Sequence, residues 1–94
     1  MRFEWDSYKN QKLRKTRGVD FEDVVEAIAA GKILDVLKHY NQEKYPGQYL
    51  IVVEINNYAY VVPCRIKNDT VFFITVYPSR KMTKKYLQES RWKK

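Results

Sequence analysis

The sequence predicts an α+β fold: a short N-terminal strand, two helices, an antiparallel sheet of three to four strands and a closing C-terminal helix. Three observations predict it. Between Asp20 and Gly31, the residues Phe21, Val24, Val25 and Ile28 recur at the i, i+3, i+4, i+7 spacing of one buried helical stripe. Beyond Gly31 the pattern becomes extended, with runs at Tyr49–Ile55, Tyr58–Arg65 and Thr70–Tyr77 that are rich in β-branched and aromatic residues. The first two runs flank Asn56-Asn57, a pair that tolerates the positive φ of a tight hairpin.

Taken in order, Arg2–Trp5 is a short strand, and Asp6 supplies the acceptor that the first N–H groups of a helix need. That helix runs through Lys9, Lys12, Arg14, Lys15 and Arg17 to Gly18, which closes it in the left-handed conformation. Tyr8 and Leu13 are its packing residues, so it lies on the surface. Asp20 caps the second helix, and Asp23 stands where a capping-box acid belongs. Its exposed acids, Glu22, Asp23 and Glu26, sit in the opening turns, where the helix dipole favours negative charge, and are read as structural. Ile33–Leu37 is a strand, and Tyr40–Gln48, with Pro46-Gly47, is a loop. Thr70–Tyr77 pairs back on Tyr58–Arg65. Pro78 stops the sheet, Ser79 caps a last helix, and Met82, Tyr86 and Leu87 pin that helix to the sheet.

Ninety-four residues make one domain, residues 1–94, with one modest core and a basic tail at about 90–94. Cys64 is the only cysteine, so no intramolecular disulfide forms, and a reduced cytoplasm is the expected compartment. No apolar run approaches the roughly 18 to 20 residues that span a bilayer, and Met-Arg-Phe-Glu-Trp-Asp has no apolar signal region. Charge is the least even property of the chain. Seven of the eighteen basic residues lie between Arg80 and Lys94, against the single acid Glu89. Such concentration suits a polyanionic partner.

Arg80, Lys81, Lys84 and Lys85 fall on one broad face of the closing helix, with Met82 and Tyr86 on the other. Arg80 and Lys81 also stand at the helix start, where the dipole disfavours cations, and a bound anion there would offset that cost. The usual catalytic engines are missing. His39 is the only histidine and lacks a Cys or Asp/Glu cluster at ligand spacing, so no metal is expected. Cys64, on a strand, reads as a buried small residue. There is no Gly-rich phosphate loop and no Gly-x-Ser-x-Gly elbow. What remains is arginine, lysine and eight tyrosines, a set suited to single-stranded RNA, whose bases stack and whose phosphates need neutralising. RNA cleavage through the 2′-hydroxyl needs no metal or other cofactor. A cation stabilises the extra charge and a lysine or tyrosine handles the protons.

Phe3-Glu4-Trp5-Asp6, Lys9-Asn10 and Arg17-Gly18-Val19-Asp20-Phe21-Glu22-Asp23 resemble the N-terminal signature of BrnT-type toxins, and Val24-Val25-Glu26-Ala27 continues the second helix. Pro78-Ser79-Arg80-Lys81-Met82-Thr83-Lys84-Lys85 is similar to the Ser-Ala-Arg segment that opens that family's last helix. The resemblance covers about two thirds of the chain, while Asn41 to Arg65 match poorly. It implies a divergent, BrnT-like member of the RelE superfamily: a small, metal-independent ribonuclease toxin of a type II toxin–antitoxin module. Such a protein blocks translation by cutting RNA and is neutralised by a small DNA-binding antitoxin, often of ribbon-helix-helix fold.

By motif, Arg80 takes the place of the arginine in Ser-Ala-Arg and is the first candidate for the transition-state cation. Lys81, Lys84 and Arg65 complete the catalytic candidates, and Lys9, Arg14, Tyr77, Ser79, Lys85 and Tyr86 are the candidate RNA contacts. The chain departs from the family at Thr75, where a strand arginine is expected, at Pro78 in place of serine, at Arg17 in place of histidine, and at Tyr86-Leu87 in place of Glu-Arg. The alternative reading is a basic module without catalysis that binds RNA or an acidic protein partner.

Overall fold

The computed structural model of this chain describes residues 1–88. Capping chemistry sets both N-terminal helices. Asp6 accepts the Lys9 N–H at 2.9 Å and opens α1 (Ser7–Arg17), and Gly18, at φ 72°, closes it by donating to the Arg14 carbonyl. Asp20 and Asp23 form a reciprocal capping box at the start of α2 (Phe21–Ala29), each side chain accepting the other's backbone N–H at 3.1 Å. The Asn10 side chain accepts the Phe21 N–H at 2.7 Å, so a second free donor of α2 is satisfied from α1.

The strands are β1 (Arg2–Glu4), β2 (Ile33–Lys38), β3 (Gln48–Ile55), β4 (Tyr58–Lys67), β5 (Thr70–Phe73) and β6 (Tyr77–Pro78). They form one sheet in the order β1-β5-β4-β3-β2, with β6 pairing on β4. Asn56 and Asn57 both adopt positive φ, 53° and 63°, and set the β3–β4 register, in which Ile55 faces Tyr58. The sheet is mixed rather than purely antiparallel, because β1 runs parallel to β5. A three-residue strand carries no pattern that would reveal its partner.

The expected strand Thr70–Tyr77 is two strands, and Pro63 explains the break. In the β4 ladder the Pro63 carbonyl faces β5 and accepts the Ile74 N–H at 2.9 Å, but Pro63 has no N–H to return. Pairing stops at Phe73 and resumes at Tyr77, opposite Val61. Pro78 does not stop the sheet as expected. It pairs with Tyr60, and because Ser79 donates to the Ala59 carbonyl, the Pro78 nitrogen faces away from β4, where a missing donor costs no ladder bond.

Alternation along β3 and β4 divides the core between the two sheet faces. Ile51, Val53, Ile55, Val62 and Cys64 meet Leu13, Val19, Phe21, Val24 and Ala27 on the side of α1 and α2. Val25 and Ile28 are only half-buried at the edge of this cluster, so Ala27 completes the buried stripe instead. Phe73 lies at its centre, with ring centroids 5.4, 5.6 and 6.0 Å from Phe3, Phe21 and Trp5. On the opposite side Val52, Ala59 and Val61 meet Leu87. No helix among the described residues is long and apolar enough to cross a membrane.

Candidate nucleic-acid interface

The closing element is attached to β4 by a chain of hydrogen bonds. Ser79 caps α3 (Arg80–Thr83), its hydroxyl accepting the Met82 N–H at 3.1 Å. The buried Thr83 hydroxyl donates to the Ser79 carbonyl and accepts the Ala59 N–H, both at 2.8 Å. A π-helical turn, Lys84–Gln88, follows and buries Leu87. Met82 and Tyr86 are half-buried, as expected for pinning residues. Thr83 belongs with them and is a residue that composition does not reveal; only its position four residues after the capping serine hints at it.

These anchors leave Arg80, Lys81, Lys84 and Lys85 exposed, and none of them forms an ion pair with a described carboxylate. The α-helical part is four residues long, too short for an aligned dipole to hold an anion. The expected contribution of the helix start therefore falls away, and attraction here rests on the side-chain charges.

Tyr86 is committed elsewhere. Its hydroxyl donates to Asp35 on β2, and Lys85 Nζ lies 5.2 Å from its ring centroid. The hydrogen bond holds the Asp35 carboxyl below its ordinary range and pushes the Tyr86 phenol above its own. Asp35, which sequence reasoning passed over, thus latches the closing turn to the edge strand.

Other candidates separate. Arg65 is exposed on β4 six residues beyond Ala59, about 20 Å along an extended strand. Arg65 and Arg80 therefore stand at opposite ends of β4 rather than side by side. Arg14 is accounted for by the fold: its guanidinium donates to Asp20 at 3.2 Å, Asp23 at 2.7 Å and the Gly18 carbonyl at 2.8 Å. The Asp20 hydrogen bond is the first cause of its raised pKa. Lys9 is exposed on α1 and Tyr77 on β6, while Ser79 is the helix cap described above. Arg91, Lys93 and Lys94, the basic tail, lie outside the described residues.

His39 packs between Tyr40 and Tyr45, with centroids at 4.8 and 4.5 Å, and its Nδ1 accepts the Asn41 N–H. It is a loop residue with a structural role. Among the described residues no three His, Cys, Asp or Glu side chains gather at a spacing that would hold a metal ion. Cys64 is fully buried, and burial pushes its thiol up to about 11.

The fold and its surface define a small α+β protein whose closing turn presents cations that pair with no described carboxylate and follows a strand bearing the exposed Tyr77. Residues 11–78 match the family described as a domain of unknown function, DUF4258, and the chain belongs to that family. The match runs from α1 through β6 and ends just before the cations of α3. No curated protein and no solved structure matches the chain.

Proposed function

We propose that this protein is a BrnT-like toxin of the RelE superfamily, a cytoplasmic, metal-independent endoribonuclease that inhibits translation. The carrying observation is the exposure of Arg80, Lys81, Lys84 and Lys85 on an element whose opposite side is fixed by Thr83 and Leu87. Cations held on a fixed frame stabilise developing charge without reorganising during the reaction. The element order, with a strand, two helices, a sheet and a closing helix, is the one the resemblance implies.

In this reading an RNA 2′-oxygen attacks the neighbouring phosphorus, the P–O5′ bond breaks, and a 2′,3′-cyclic phosphate and a 5′-hydroxyl result. Arg80 neutralises the added charge on the phosphoryl oxygens, and Lys81 and Lys84 hold the flanking phosphates. The 2′-hydroxyl proton leaves to solvent water and a proton from solvent completes the departing 5′-hydroxyl, because the Tyr86 hydroxyl is engaged by Asp35. A short acidic segment of a ribbon-helix-helix antitoxin neutralises the toxin by covering the same cations.

One observation favours the second reading, a basic module that binds RNA or an acidic partner without cutting. Among the described residues no carboxylate pairs with Arg80, and the Tyr86 hydroxyl is engaged by Asp35. End-group analysis of RNA incubated with the protein separates the two. Fragments with 2′,3′-cyclic phosphate ends, lost in Arg80→Ala together with growth arrest on expression, are the expected result. Intact RNA with saturable, salt-sensitive binding would establish the non-catalytic module.

A further inference from the structure

Among the described residues, clefts beside α1 or α2 differ in charge. One, of about 270 Å³, is lined by Asp23, Glu26 and Glu54 as well as Arg14 and Lys32. A second includes Asp20 and Glu22 among its walls. The third, of about 210 Å³, lies between α1 and the strand break and is lined by Lys9, Lys12, Leu13, Thr16, Arg17 and Thr75. It has three cations, two hydroxyl side chains and no carboxylate.

The third cleft is also partly built in advance. Arg17 donates to the Val76 carbonyl at 2.6 Å, which holds its guanidinium at the break and leaves other donors of its five unused. That carbonyl is exposed to Arg17 because pairing with β4 is interrupted between Phe73 and Tyr77. The break caused by Pro63 therefore creates the cleft's far wall.

Dimensions indicate the kind of anion. Lys9 and Arg17 are eight residues apart on one helix, about 12 Å at its rise per residue. A single phosphate is too small to meet both, whereas successive phosphates of an extended strand are spaced to do so. The route also continues. Arg80 follows Thr75 by five residues, at most about 18 Å of chain, and the exposed Tyr77 stands between them. An exposed ring at that point offers a base a stacking surface.

We infer that the cleft between α1 and the Ile74–Val76 break is a track for the phosphate backbone of single-stranded RNA, continuing round the sheet edge past Tyr77 to Arg80. The inference rests on the reading that this protein binds RNA, and it adds a second cationic surface on the α1 side of the sheet. Lys9 and Lys12 each take one phosphate, Arg17 a third.

The test is a salt titration of binding to a short single-stranded RNA of mixed sequence, using the full chain, its Lys9→Ala/Lys12→Ala variant and an Arg80→Ala/Lys84→Ala variant. Both lysines of the first variant are exposed, so it folds as wild type, checked by circular dichroism. The log–log salt slope is expected to shrink by about 0.7 for each phosphate that is no longer neutralised, hence by about 1.4 for the double variant. A wild type that binds while the Lys9/Lys12 variant keeps its full slope overturns the track and leaves the Arg80 reading standing. A wild type without RNA affinity removes both. Inorganic phosphate is the second probe. Saturating amide shifts confined to Lys9, Lys12 and Arg17 at low millimolar phosphate would identify a single-ion site and overturn the track, whereas weak, unsaturated shifts are expected.

Discussion

Toward α1 and α2 the sheet packs against four aromatic rings, two of them fully buried, and a field of branched side chains, whereas toward α3 the described residues that are buried are Val52, Ala59, Val61 and Leu87. The first face is held by area and ring contacts, the second by a few hydrogen bonds placed at Thr83, Ser79 and Asp35. Among the described residues the larger apolar cluster lies on the side of α1 and α2 and the closing turn rests on a smaller one, while cations are exposed on both sides.

Removing a ring from the aromatic cluster is the most direct way to break this contrast. Phe73→Ala is expected to cost about 3 to 5 kcal/mol, a large share of the roughly 5 to 15 kcal/mol available to a domain, and urea denaturation reads it. A loss below about 1 kcal/mol would mean that the rings contribute packing area but no central support.

Thr83→Val probes the weaker face at almost constant volume. It leaves the Ala59 N–H without its acceptor and is expected to cost about 1 to 3 kcal/mol in the same experiment. If it costs as much as Phe73→Ala, the two faces do not differ as described.

The smallest effect is a dependence on pH. The folded pKa of Asp35 is lowered by its Tyr86 hydrogen bond, so its contribution is present above the unfolded value of about 3.9 and is lost as pH falls through the lower, folded value. The folded pKa of Tyr86 is raised, so its contribution is present below about 10 and is lost as pH rises through the higher, folded value. Docking of the closing turn should weaken slightly at both ends. Tyr86→Phe should flatten both limbs of the stability–pH curve, and an unchanged acid limb would show that the latch does not hold the turn.

Local chemistry made the helices legible. Asp6, Gly18, Asp20 and Asp23 each act within a few residues, so their caps can be read without knowing the fold. The Asn56-Asn57 turn is legible for the same reason. The break at Ile74 was not, because its cause, Pro63, lies eleven residues away on a neighbouring strand and acts only after the register is set. The interface divides in the same way. The exposure of Arg80, Lys81, Lys84 and Lys85 follows from spacing along one segment. The engagement of Arg14 by two aspartates, the latch between Tyr86 and Asp35, and the distance from Arg65 to Arg80 depend on where separate segments come to rest.

Cys64 gives the larger core a built-in reporter. It sits in the interior of β4 among Val62, Phe73 and their neighbours, and with its thiol pushed up to about 11 almost none is ionised at neutral pH. Reaction with a disulfide reagent must wait until that face of the sheet opens. Its modification rate therefore measures the frequency of those openings, separately from any loosening of the closing turn, and stored protein stays monomeric in thiol chemistry for as long as it stays folded.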